Sequence, residues 1–105
     1  MRQTELPSLE AVDLPTVLDA LADPVRLEVI RQLAAADGVV LGRFQVGVTM
    51  STLSHHLTVL LASGLVRISQ QGKYRRCELR MAEVESRFPG LLPAVLAILC
   101  GQPFA

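Results

Sequence analysis

Residues 51–65, STLSHHLTVLLASGL, begin with hydroxyls and imidazoles around one leucine and end almost wholly aliphatic. At 100° per residue, Leu53, Leu57, Leu60 and Leu61 fall within about 100° of arc, a stripe wide enough to bury a helix. Ser51, His55, Thr58 and Ala62 lie opposite, Thr52 and Ser54 flank them, and His56 sits nearer the leucines. Thr49 is placed to cap this helix, and Gly64 to end it in a left-handed conformation. The segment predicts an amphipathic helix whose first turns are polar for a purpose.

Two adjacent imidazoles, His55 and His56, admit several chemistries. A shared metal ion wants ligands three or four residues apart, where both rings meet one face. These two point about 100° apart, and no Cys, Asp or Glu accompanies them in the helix. Catalysis lacks a carboxylate there to orient an imidazole beside Ser54. Duplex DNA fits better. Short donors and acceptors in the first turns of a helix reach base edges and phosphates in a major groove, while the later turns stay inside the protein. No enzyme is expected.

Upstream, DLPTVLDALAD at 13–23 places Leu14, Val17, Leu18 and Leu21 on one stripe, with Asp13 as N-cap. DPVRLEVIRQLAAA at 23–36 starts a second helix, with Asp23 as cap and Pro24 at its first position. Leu27, Val29, Ile30 and Leu33 supply its buried side, and Asp37-Gly38 ends it. VVLGRFQVGV, 39–48, has two glycines and no period, and allows only a short helix or irregular connector around 40–46. Downstream, Leu65, Val66 and Ile68 form one β-prone run and Tyr74–Leu79 another, with a tight turn expected at Gln71-Gly72. MAEVESRF, 81–88, reads as one or two helical turns, and PGLLPAVLAILC, 89–100, as a final helix apolar on all sides. Residues 1–12 read as a lightly tethered arm, ahead of a single domain over 13–105.

The formal charge is zero, but it is unevenly spread. Residues 1–40 hold three arginines against seven carboxylates; residues 41–80 hold six Lys or Arg against Glu78 alone. The positive charge gathers beside the histidines, where a polyanion would meet it. The few aromatics, Phe44, Tyr74, Phe88 and Phe104, argue against single-stranded nucleic acid, which is usually gripped by stacking. The longest apolar run carries Pro93 and falls well short of the ~20 residues that span a bilayer. With no basic, apolar leader at the amino terminus either, a cytoplasmic protein without membrane contact is expected. Cys77 and Cys100 have no paired spacing and read as reduced, packed thiols, with a redox switch as the sharper alternative.

ALADPVRLEVIRQLA, MSTLSHHLTVLLASGLV and RISQQGKYRRCELR together resemble the ArsR-type winged helix-turn-helix transcriptional regulators over residues 14–80. The specific signals are Ser-x-Leu-Ser-His-His-Leu followed by Leu-x-x-x-Gly-Leu-Val, and the Leu-Ala-Asp-Pro-x-Arg that opens the second helix. The resemblance implies a mainly α fold with a β-hairpin wing, dimeric through the helices at 14–22 and 89–100. It implies a recognition helix in the major groove, with Ser51, Thr52, Ser54 and His55 facing the bases and His56 beside them. Outward-facing Thr58 joins that set, and Lys73, Arg75 and Arg76 become wing contacts. Metal-sensing relatives carry paired cysteines before the recognition helix or Asp/His/Glu clusters on the last helix; this chain has neither set, so no metal or other cofactor is expected. The reading is a homodimeric repressor on a palindromic operator, its effector unknown. The alternatives are a protein-interaction module using the basic hairpin, or a metal- or thiol-responsive variant of the regulator.

Overall fold

The computed structural model describes residues 2–3 and 8–101. Helix α1 spans Leu14–Leu21, α2 Pro24–Ala36, α3 Met50–Ala62, α4 Met81–Arg87 and α5 Leu91–Leu99. The strands are β1 Arg2–Gln3, β2 Val39–Val40, β3 Val66–Gln71 and β4 Tyr74–Leu79. They form one antiparallel sheet in the order β1-β3-β4-β2. The result is the expected fold, helices around a hairpin wing.

Local chemistry sets the helix starts. Asp13 accepts the Thr16 N–H at 3.1 Å, and Asp23 accepts those of Val25 and Arg26 at 2.9 and 3.0 Å. Thr49 accepts the Thr52 N–H at 3.1 Å, so all three anticipated caps are made. Each offsets an orphan amide of the first turn. Gly64 ends α3 at φ +81°, and a Cβ there would strike the Leu9 side chain, so both backbone and packing require glycine.

The core lies where α2, α3 and the hairpin meet. Val29, Ile30 and Leu33 of α2, Leu53, Leu57 and Leu60 of α3, and Val66, Ile68 and Cys77 of the sheet are all buried. Leu61 and Leu27 are only half-buried, at the edges of their stripes. Burial of each leucine contributes about 1.5–3 kcal/mol. α3 is thereby seated on its greasy side, and its polar side is left outward.

Several expectations shift. The hairpin pairs Gln71 with Tyr74, so its two-residue turn is Gly72-Lys73, one residue later than expected. Gly72 has φ +62° while Lys73 keeps a negative φ, the pattern of a turn with glycine at its first central position. Residues 39–48 hold the short helix expected around 40–46, a 3₁₀ turn at Leu41–Arg43, together with the unexpected two-residue strand β2. The final helix starts at Leu91 rather than Pro89, and the Glu85 carboxylate accepts the Gly90 N–H at 2.8 Å ahead of it.

The described part of the arm is tied in rather than lightly tethered. β1 pairs with Ser69 and Gln70, Leu9 and Val12 are buried, and Arg87 donates to the carbonyls of both at 3.2 and 3.3 Å. The stripe of α1 also divides. Val17, Ala20 and Leu21 face the core, whereas Leu14 and Leu18 remain 45% and 47% exposed. On α5, Leu92 is fully buried and Ile98 is 62% exposed.

Candidate nucleic-acid interface

The outward face of α3 carries the residues that the wheel assigned to it. Ser51, Thr52, Ser54, His55 and Thr58 are all exposed. Among the described residues, the side chains of Ser51, Ser54 and His55 make no hydrogen bond. The others are partly engaged: the Thr58 hydroxyl donates to the Ser54 carbonyl at 2.9 Å, and the Thr52 hydroxyl accepts from Thr49 at 3.1 Å. Free donors and acceptors thus concentrate at positions 51, 54 and 55. They stand on a rigid element whose other side is core.

His56 departs from that set. Its side chain is 12% exposed, and its Nδ1 lies 3.2 Å from an Arg26 guanidinium nitrogen and 3.8 Å from the Asp23 carboxylate. The guanidinium can only donate, so Nδ1 accepts, and the ring serves packing between α2 and α3 rather than an outside ligand. The two ring centroids are 5.8 Å apart with planes inclined by 59°. No group of three or more His, Cys, Asp or Glu side chains arranged to hold a metal occurs among the described residues.

Arg26 extends this inner network. Its Nε donates to the Ala20 carbonyl at 2.6 Å and another nitrogen to the Asp19 carbonyl at 3.3 Å. One side chain therefore links the end of α1, the start of α2 and the middle of α3. Asp23 is held below the usual carboxylate range, chiefly by the Arg26 N–H it caps. The sequence pattern flagged Arg26 within the Asp-Pro-x-Arg motif, but its partner, thirty residues on, was not legible there.

On the wing, Lys73 and Arg75 are exposed and unpaired among the described residues. Arg76 is half-buried and donates to the Asp37 carbonyl at the end of α2. A third exposed cation, Arg43, was not anticipated as a site residue. The turn that carries it packs against β4. Its signal in the sequence was the lone positive charge at the start of the segment leading into α3. Arg67 and Arg80, in contrast, are tucked into the sheet and its end, Arg80 paired with Glu83 at 2.6 Å. Cys77 is fully buried, and desolvation pushes its thiol up to about 12. Such a thiol does not ionise near neutrality, so Cys77 packs as a small hydrophobe. Cys100 is exposed at the end of α5.

The arrangement presents a polar helix face with exposed cations on the wing and beside it, all on elements fixed by one core. The helix-turn-helix domain family matches residues 21–69, which run from the end of α1 to the middle of β3. A crystal structure of an ArsR family transcriptional regulator is similar in fold, with a TM-score of 0.63 at 21% identity. That match covers 86% of this chain and 93% of the other. No curated protein sequence matches. Residues 21–69 are thus similar to a helix-turn-helix domain, and the fold of the chain is similar to that of an ArsR family transcriptional regulator, a winged helix-turn-helix.

Proposed function

We propose that the protein is a duplex-DNA-binding transcriptional regulator that acts as a homodimeric repressor. The observation that carries this reading is the free polar face of α3: His55, Ser54 and Ser51 point outward from a helix whose opposite side is sealed by Leu53, Leu57 and Leu60. In a major groove these side chains read base edges, while Lys73 and Arg75 on the wing and Arg43 beside it hold the backbone. Repression follows from occupying promoter DNA, and release from a change in the spacing of the two recognition helices.

The dimer rests on the exposed apolar residues of α1 and α5. Leu14, Leu18 and Ile98 are large hydrophobics that a single chain leaves in water, and a second copy would cover them through a two-fold contact. Two α3 helices then meet successive turns of a duplex about 34 Å apart. Selection of bound duplexes from a random pool tests the whole reading. The expected product is an inverted repeat with half-sites about ten base pairs apart. Recovery of no sequence preference, with binding that ignores salt, would point instead to an acidic protein surface as the partner of the basic wing.

A further inference from the structure

A groove of about 680 Å³ opens between the C-terminal half of α2, the turn Leu41–Arg43 and the tip end of β4. Its floor is apolar, from Ala35, Ala36 and Val39, and three guanidinium groups, Arg31, Arg43 and Arg76, stand around it. No carboxylate belongs to the lining among the described residues. The three cations differ in how far their charge is answered. Arg31 is bound at two points by Glu28, at 2.9 and 2.6 Å. Arg76 donates to a neutral carbonyl, which uses a donor without cancelling charge, and the Glu78 side chain lies near its guanidinium beside Gly38. Arg43 has no ion pair or hydrogen bond among the described residues.

The wall beside Arg43 is already set. The Gln32 amide donates to the Gln45 carbonyl at 2.8 Å, and its oxygen accepts the Gln45 N–H at 3.1 Å. This pair of hydrogen bonds ties the segment after the turn to α2. Tyr74, 57% exposed, adds an aromatic ring to the lining. A preformed apolar pocket of several hundred Å³ with a few placed polar groups is the ordinary form of a small-molecule site.

We propose that this groove binds a small organic anion with a flat apolar body, of the aromatic carboxylate class. The carboxylate takes the planar fork geometry that guanidinium groups favour, and the ring covers the alanine and valine floor. An inorganic anion leaves that floor wet, and a neutral aromatic leaves Arg43 unanswered. Occupancy also bears on DNA, and this half rests on the function proposed above. The bound carboxylate draws Arg43 off the phosphate backbone, and Arg43 lies six residues before Thr49, the cap of α3.

The full chain, labelled with ¹⁵N, is titrated with 1-naphthoate and followed by amide shifts. Saturable shifts confined to residues 31–45 and 74–76, with Kd below about 1 mM, are expected. Arg43→Glu and Ala35→Trp, both at exposed positions, each weaken binding at least tenfold with the rest of the spectrum unchanged. The absence of saturable shifts, or shifts placed on α1 and α5, would overturn the site. Equal affinity for 1-naphthalenemethanol or inorganic phosphate would overturn the ligand class. In the second arm, naphthoate weakens the selected duplex at least fivefold for the natural chain and leaves Ala35→Trp insensitive. Naphthoate binding with unaltered duplex affinity would overturn the regulatory half alone. A chain that takes up naphthoate but binds no duplex would sink the DNA reading and leave the groove standing.

Discussion

His55 and His56 are neighbours in sequence and opposites in surroundings. One residue step along the helix, 100°, sends the first ring to solvent and the second to a guanidinium and a carboxylate. The wheel was enough to separate their directions, although His56 was still read beside the DNA-facing set. The caps were equally legible, because Asp13, Asp23 and Thr49 each bond an amide two or three residues away. Cys77 belongs to the same scale. Its thiol is closed off by the sheet and core, so in a Cys100→Ser protein no thiol reacts with a disulfide reagent at neutral pH until denaturant is added. Prompt stoichiometric labelling of the native Cys100→Ser protein would show that Cys77 is accessible and available as a switch.

At the scale of elements, the long helices and the hairpin were readable because each carries a sustained period. The shorter pieces were not. β1 and β2 have two residues each, too few for alternation to register, and they exist by pairing with β3 and β4. The segment 39–48 gave no period because it holds a strand, a 3₁₀ turn and coil in ten residues. Arg26 was also beyond local reading, since its contact with His56 spans thirty residues. It ties α3 to the end of α1, and so links the face proposed to read DNA to the face proposed to dimerise. Arg26→Met keeps much of the apolar stem and removes three hydrogen bonds, leaving two carbonyls and the His56 nitrogen without their donor. A loss of about 2–4 kcal/mol in urea unfolding is expected, given about 1.5–3 kcal/mol for a bond to a charged group and the non-additivity of neighbours. Unchanged stability together with unchanged duplex affinity would remove the linking role.

For the molecule as a whole, charge and hydrophobicity are both divided by surface. The exposed cations Arg43, Lys73 and Arg75 fall in the chain segment that contains α3, with Arg87 on α4; exposed large apolar groups stand on α1 and α5, and also at Val48, Met50, Tyr74 and Met81. A helical wheel records that a stripe is apolar, but it cannot say whether the core or a second chain covers it. That is why Leu14 and Leu18 were read together with Val17 and Leu21, although the fold turns them outward. The natural chain is expected to sediment at twice its own mass at micromolar concentration. Leu18→Glu with Ile98→Glu is expected to halve that mass without loss of helix signal, because neither side chain is buried within a protomer. A natural chain that already sediments as one copy would end the dimer, and with it the paired half-sites.

The reading face itself is tested most directly by comparing the natural chain with Ser54→Ala and His55→Ala on a selected duplex and on a scrambled one of equal length. Each variant should lose on the order of 1–3 kcal/mol on the selected sequence and keep its affinity for the scrambled duplex. Equal losses on both duplexes, or no loss on either, would contradict the assignment of α3 as the element that reads DNA.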